Sequence, residues 1–521
     1  MSFDFELAMS RQLLFGEMLA RNARKFPDRE AFVHKGVRVT YGELDERVNR
    51  LANFLLSRGI QKGDKVAVLL KNRREILEIY FAAGKIGAVN VPLNFRLAPR
   101  EITFILNNSD SRILFMEEEF IPAIEKGKNE LKEIREYVVV EKEPPAGYSV
   151  YEEVLKAGSP VRPEIWVDDD DDMFILYTAG TTGLPKGAVL SHKNVIVNAM
   201  TMIMERDFPI ANPDQRVEEK NLCVAPLFHT AAITGTAIAM VAGVTVVLQD
   251  FDPLEILKTI QKEKITTLFL VPAMWLFLLE HPDFKKYDVS SLRLAGYGAA
   301  PMPPALKKRI LAAFPNAGLQ DTFGQTEMSP ATTTLSPRDA LRKDGSVGLP
   351  IMNVEARVVD SGMNDVPVGQ VGEIVYRGPN MFKGYYKNLE GTAEAFHGGW
   401  FHSGDLVRRD EEGFIYIVDR KKDMIISGGE NIYPAEVEAV LYGHAKILEA
   451  AVIGVPDPQW GEAVKAFVVL REGQQLTAEE VIAHCTENLA RYKRPRYVEF
   501  MKALPRNAAG KVLKRELRSK A

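Results

Sequence analysis

The stretch from Met173 to Ala188 carries residues that could hold a chain of phosphates. It opens on an apolar run, Met173-Phe174-Ile175-Leu176-Tyr177, which suits a buried strand. Thr178, Ala179, Gly180, Thr181, Thr182 and Gly183 follow, then Leu184-Pro185-Lys186-Gly187, then a second apolar run from Ala188. Bare peptide N–H groups, hydroxyls and one cation between two strands make a seat for phosphate. The spacing sets this loop apart from two common phosphate loops. A Walker A loop ends on Gly-Lys-Ser/Thr, whereas Lys186 is followed by Gly187, and no Gly-x-Gly-x-x-Gly run follows the strand. Taken alone, the small residues also fit a purely structural turn.

Such a loop needs a scaffold, and the rest of the chain predicts one. Apolar spacing predicts a helix over 14–27, then a hairpin of Ala31–Val33 and Val37–Thr40 around Lys35-Gly36. Thr40 followed by Glu43 has the capping-box spacing for the next helix. Strands are predicted at 65–70, 89–93 and 113–115, separated by apolar helices. The alternation resumes at 222–226, which leads into Leu227-Phe228-His229, and at 245–248, 266–271 and 292–298. A helix with proline in its first turn follows over 303–314. The pattern predicts an α/β layered fold with largely parallel strands. The connector 141–172 ends in five aspartates, read as a solvated turn rather than a cation site.

From about residue 350 the pattern changes to short β segments between Gly, Pro and Asp, which predicts a β-rich, mostly antiparallel subdomain. Asp419-Arg420-Lys421-Lys422-Asp423 forms a charged break, and strands and a Thr477-capped helix follow it. The expected organisation is a large domain over 1–420 and a small α+β domain over 421–521.

Composition narrows the class. A chain of 521 residues exceeds one compact core. Its charged fraction of 26% and hydrophobic fraction of 46% are ordinary for a globular protein. A net charge of −4 gives no reason to expect nucleic acid as a partner. The two cysteines, Cys223 and Cys485, suggest neither a metal site nor a disulfide, so the expected location is a reducing cytoplasm. The N-terminus lacks the apolar core of a signal peptide, and no apolar run of about 18 residues spans a membrane.

The string from Tyr177 to Gly187 resembles the signature of the acyl-adenylate-forming superfamily, with Ala179 where serine is usual. Gly298-Ala299-Ala300-Pro301 is similar to the family's adenine-binding turn, which Tyr297 could line. Asp321-Thr322-Phe323-Gly324-Gln325-Thr326-Glu327 resembles its Y-G-x-T-E segment, with Phe for Tyr. The resemblance implies that Phe323 stacks on adenine, that Thr326 meets the α-phosphate, and that Glu327, with Thr178, holds Mg²⁺. Trp400-Phe401-His402-Ser403-Gly404-Asp405 resembles W-x-x-T-G-D, which implies ribose contacts from Asp405 and from Arg420. Pro505-Arg506-Asn507-Ala508-Ala509-Gly510-Lys511 resembles P-R-x-x-x-G-K, whose lysine drives adenylation. A cation there offsets the charge of a carboxylate attacking the α-phosphate.

These likenesses span 177 to 511 and imply an AMP-forming acid–thiol ligase using ATP, Mg²⁺ and coenzyme A. They imply catalytic roles for Lys511, Lys186 and Glu327. They also imply a mobile C-terminal domain turning about Lys422, with Ser427, Gly428, Gly429, Glu430 and Asn431 along the thiol's path. The chain ends soon after Lys511 with no carrier domain, so coenzyme A is the expected thiol. By the same resemblance His229 lies beside the acyl carboxylate. Ala232, Gly296, Tyr297, Gly298, Met328 and Ala331 complete the expected acyl pocket. Among these positions there is no charged residue to recognise a second carboxylate or an amino group, and no tryptophan gate. The expectation is an apolar monocarboxylic acid, a medium- or long-chain fatty acid ahead of an aromatic or alicyclic one. A stand-alone carrier-protein adenylating enzyme and a silent nucleotide-binding sensor are the alternatives. Peripheral membrane contact suits a fatty substrate, and a homodimer is the oligomer considered.

Overall fold

The computed structural model describes residues 3–141, 143–178, 185–205, 219–427, 430–506 and 512–520. The chain forms two compact units, the first made of 1–356 with 376–401, the second of 357–375 with 402–521. Two strands, Gly372–Arg377 and Trp400–Arg409, pass through the division.

The first unit holds two large sheets. In a nine-stranded sheet, Thr245–Leu248, Lys220–Cys223, Thr267–Phe269, Leu294–Gly298 and Gly318–Gly324 lie side by side and parallel. In an eight-stranded sheet, Lys65–Leu69 lies parallel between Val89–Pro92 and Ser111–Met116. Asp172–Thr178 runs parallel to Val89–Pro92, then turns back antiparallel as Lys186–Ser191. The α/β fold with largely parallel strands is therefore the one present. Parallel strands covered on both faces read as continuous apolar runs, and Val89–Pro92 and Thr245–Leu248 are buried at every residue. The helix Arg74–Lys85 is buried from Glu75 to Lys85, as a helix within a layered core must be.

Local signals act where they were read. Thr40 and Glu43 close a capping box on the helix Tyr41–Ser57, and Thr477 and Glu480 do so on Ala478–Asn488. The hairpin Glu30–His34 with Val37–Thr40 turns through Lys35 at φ 47° and Gly36 at φ 81°. The aspartate run is a turn spent on local partners. Asp168 N–H donates to Asp171, Lys62 pairs with Asp171 at 2.6 Å, and Lys383 pairs with Asp172 at 2.8 Å. Among the described residues no cluster of His, Cys, Asp or Glu could hold a metal ion, and no helix is long and apolar enough to cross a membrane.

In the second unit, Ile425–Ser427 pairs with Glu430–Ile432, and Gly461–Leu470 runs antiparallel to Ile447–Asp457. Tyr497–Phe500 adds a parallel strand beside Gly461–Leu470. A core of Ile425, Ile432, Val437, Leu441, Val452 and Val481 closes this unit.

Candidate active site

In the nine-stranded sheet the strands Lys220–Cys223, Thr267–Phe269, Leu294–Gly298 and Gly318–Gly324 end on the same edge. The carboxyl edge of a parallel sheet is where α/β proteins place their ligands. Gly298 lies opposite Thr322 and Tyr297 opposite Asp321 in the register, so the adenine-turn and Y-G-x-T-E-like segments are brought together. Close packing explains the glycines. A Cβ on Gly298 would stand 2.3 Å from the Thr322 carbonyl oxygen, and one on Gly324 would collide with the Pro330 carbonyl. Beyond Gly298 the chain turns through Ala299 at φ 66°, a left-handed conformation that costs an alanine about 1 kcal/mol. Strain of this kind collects at ligand sites. Ala299 and Ala300 are exposed at the strand's end.

The strand pleat divides the expected acyl pocket. Gly296 and Gly298 face one side, where Cβ atoms would meet the Phe269 ring at 3.1 and 3.2 Å. Tyr297 points to the opposite side because successive side chains alternate. It is buried in the core with Trp275 and Leu306, and the Lys307 ammonium lies 5.8 Å from its ring centre. The structure thus does not bring Tyr297 to the side of Gly296 and Gly298, and Phe269, which sequence reasoning missed, lies there instead. Trp275 braces the strand, donating from Nε1 to the Gly296 carbonyl at 3.0 Å. Asp321 sits beneath the turn; burial pushes its carboxyl up to about 7, against the pull of the Lys307 charge.

His229 ends the loop that follows Lys220–Cys223 and precedes the uncharged helix Thr230–Ala242. Asn72 holds this loop. Its Nδ2 donates to the carbonyls of Val224 and Ala225, each at 3.1 Å, and its Oδ1 accepts from Leu227 N–H at 2.9 Å. The Tyr80 hydroxyl donates to the Leu227 carbonyl at 3.0 Å. Burial, with Arg96 nearby, lowers the His229 imidazole to about 4, so it is neutral at pH 7. Phe228 lies 4.6 Å from its ring centre, and Phe95 lies 5.4 Å from Phe228. Arg96 is a cation near the expected pocket that the sequence reading did not include. Asn72 and Arg96 lie more than 130 residues before His229, and no local signal links them to it.

Thr230 and Thr326 share a hydroxyl contact at 3.2 Å, and Thr234 donates to the Ser329 carbonyl at 2.7 Å, so the helix seats the Thr326–Met328 turn. Met328 and Ala331 are buried beside it, their carbonyls held by Asn380 at 2.7 and 3.1 Å. Ala232 is buried on the helix. Phe323, Gly324 and Gln325 are partly exposed, and the Thr332 hydroxyl donates to the Phe323 carbonyl at 3.2 Å.

Thr178 and Lys186 pair across the mouth of the loop. The Lys186 ammonium lies 5.3 Å from the centre of the Tyr385 ring, and the Tyr385 hydroxyl donates to Glu327 Oε1 at 2.8 Å. Ala179, Gly180, Thr181, Thr182 and Gly183 lie outside the described residues, as do Gly428, Gly429 and Lys511.

In the second unit Asp405 is buried and accepts from Arg420 Nε at 2.6 Å. Gly404, at φ 70°, donates to Glu373, which also takes Lys421 at 2.9 Å and His402 at 3.1 Å. Lys422 is exposed in the turn after Arg420. Ser427 pairs with Glu430 and Ile426 with Asn431 in two antiparallel strands.

The segment 19–386 matches the family model for an AMP-binding enzyme, and 436–511 matches that for an AMP-binding enzyme C-terminal domain. The chain is 40% identical over 510 residues to a feruloyl-CoA synthase of Amycolatopsis, covering 96% of this chain and 98% of that one. It is 36% identical over 513 residues to a long-chain-fatty-acid–CoA ligase of Mycobacterium tuberculosis, covering 96% and 97%. The solved o-succinylbenzoate CoA synthetase of Bacillus subtilis, in complex with its acyl-adenylate, superposes with a TM-score of 0.85 at 31% identity, covering 96% and 97%. The chain belongs to the AMP-binding enzyme family and is an AMP-forming acid–CoA ligase.

Proposed function

We propose that the enzyme activates an apolar monocarboxylic acid, a medium- or long-chain fatty acid, as its acyl-adenylate and transfers the acyl group to coenzyme A. The observation that carries this reading is the uncharged wall around Gly296 and Gly298. Phe269 is the side chain nearest both glycines, and the helix Thr230–Ala242 that follows His229 carries no ionisable side chain. A second carboxylate or an amino group there would be buried without a partner, at a cost of several kcal/mol. Arg96, near the neutral His229, suits the one carboxylate such an acid has.

Lys186 and the loop before it would grip the β- and γ-phosphates. Glu327 and the Thr178 hydroxyl fit Mg²⁺, which takes one or two protein oxygens when phosphates fill its other positions. Bound there, the ion would offset the charge of the departing pyrophosphate. Asp405 and Arg420 would hold the ribose, and Lys511 would offset the charge as the carboxylate attacks the α-phosphate. The residues after Arg420 would then turn about Lys422, bringing Ser427, Glu430 and Asn431 to the thiol. Two buried free thiols, Cys223 and Cys485, are consistent with a cytoplasmic setting.

An aryl acid is the second reading. The flat Phe269 ring against two glycines would also suit a planar substrate, and the feruloyl-CoA synthase relative adds weight to it. Coenzyme A-dependent AMP release, screened over short, medium, long and aromatic acids, decides. A kcat/KM for medium or long fatty acids about tenfold above that for aromatic acids is expected, since each buried methylene adds about 0.8 kcal/mol. The reverse order selects the aryl reading. ADP instead of AMP, or no release with any acid, overturns both.

A further inference from the structure

The short strand Gly384–Tyr385 touches both Lys186, assigned to the phosphates, and Glu327, assigned to the metal. It pairs antiparallel with Lys186–Ser191, Tyr385 opposite Ala188 and Gly384 opposite Val189. Lys383 N–H donates to the Val189 carbonyl at 2.9 Å and Tyr386 N–H to the Gly187 carbonyl at 2.7 Å. On its other side the same segment grips the Glu327 turn, Phe382 N–H donating to the Glu327 carbonyl at 2.7 Å. Tyr385 is fixed between them. Its N–H donates to Thr392 Oγ1 at 2.9 Å, and Phe382 packs edge-on against its ring at 5.0 Å. From this position the ring lies 5.3 Å from the Lys186 ammonium, within reach of a cation–π attraction. The hydroxyl donates to Glu327 Oε1 at 2.8 Å.

This arrangement has an electrostatic consequence. A lysine and a glutamate close together ordinarily neutralise each other. Among the described residues, neither Lys186 nor Glu327 makes an ion pair within 4.0 Å. The phenol ring stands at the cation and its hydroxyl at one carboxylate oxygen, so the ammonium and the second carboxylate oxygen keep their capacity for ligand.

We propose that Tyr385 is a positioning residue for the metal–ATP complex, its ring seating Lys186 for the phosphates and its hydroxyl turning Glu327 toward the metal. The proposal rests on the reading of Lys186 and Glu327 as phosphate and metal ligands. Tyr385→Phe removes the hydroxyl and keeps the ring, and Tyr385→Leu removes both.

The test uses the full chain and two binding measurements besides activity: calorimetric titration of ATP in EDTA, and titration of Mn²⁺ into the ATP-bound enzyme followed by electron paramagnetic resonance. Tyr385→Phe should weaken Mn²⁺ about tenfold, the scale of one hydrogen bond to a charged group, and leave metal-free ATP binding unchanged. Tyr385→Leu should also weaken metal-free ATP binding, by about threefold, through Lys186. In a Glu327→Gln background, Tyr385→Phe should have little further effect on Mn²⁺, because groups acting through one partner are not additive. Unchanged Mn²⁺ affinity in Tyr385→Phe, or full additivity with Glu327→Gln, overturns the proposal. If Tyr385→Leu does not fold, the near-isosteric Tyr385→Phe decides alone. Failure of the underlying reading looks different: Glu327→Gln alone would then leave Mn²⁺ affinity unchanged, and Lys186→Ala would leave metal-free ATP binding unchanged.

Discussion

Arg420 holds Asp405 across two paired strands, Nε to Oδ1 at 2.6 Å, with the two residues opposite each other in the register. The Asp405 side chain is 3% exposed and that of Arg420 37% exposed, so the pair is sealed on the carboxylate side only. Arg420→Met should cost about 1–3 kcal/mol, between the values for surface and for buried pairs. Adding Asp405→Asn should recover most of the loss, because the stranded charge is gone. Urea unfolding of the single and double variants checks this. A double variant no more stable than Arg420→Met would show that the carboxylate is not what the arginine stabilises.

Asn72 sets the His229 loop through three hydrogen bonds to a segment more than 150 residues away. Asn72→Leu should destabilise by about 2–4 kcal/mol, because it leaves buried backbone groups without partners. It should also lower kcat/KM at least about tenfold, since small displacements of positioned groups are costly. Tyr80→Phe removes one hydrogen bond to the same loop and should cost only about 1 kcal/mol. Thermal melts and steady-state AMP release measure both, and equal losses in the two variants would contradict this account of the loop.

Stability should depend on pH with two opposing slopes. His192 is fully buried, its Nδ1 accepting from Phe15 N–H at 3.2 Å, and burial lowers it to about 4. The unfolded chain takes up that proton near pH 6.5, so stability is full above that value and is lost as pH falls toward 4. His34 and His229, each lowered to about 4, act in the same direction. Asp321 works oppositely. Its carboxyl, raised to about 7, contributes stability below pH 3.8 that is lost as pH rises through 7. Asp321→Asn should therefore gain relative to the parent between pH 5 and pH 8, by about 1–3 kcal/mol. His192→Gln should flatten the decline between pH 6.5 and 4. Urea midpoints across the pH range report both, and parallel profiles for variant and parent would refute the assignments.

Much of the local structure was legible before any coordinates. The capping boxes at Thr40 and Thr477 and the turn at Lys35-Gly36 depend on neighbours within four residues, so their signals lie side by side in the chain. The α/β class was legible for a similar reason, since apolar runs report burial on both faces of a strand. The juxtaposition of Gly298 and Thr322 was anticipated only through a likeness to known motifs. Tyr297 was grouped with Gly296 and Gly298, yet the pleat turns it away from both, a matter of strand geometry rather than of residue type.

By itself, the sequence determined the layered class, the family and the types of residue available for phosphate and carboxylate. Tertiary structure alone decided which of them meet. Phe269 lies against Gly296 because their strands are neighbours in register. Asn72 reaches the His229 loop across two sheets. Tyr385 stands at both Lys186 and Glu327 because one short strand pairs with the first and hydrogen-bonds the second. The physical reason is the range of the forces involved. Capping and periodicity act over one turn or one pleat, whereas a ring beside an ammonium, or an amide on a distant carbonyl, exists only once burial has brought remote segments within a few ångströms.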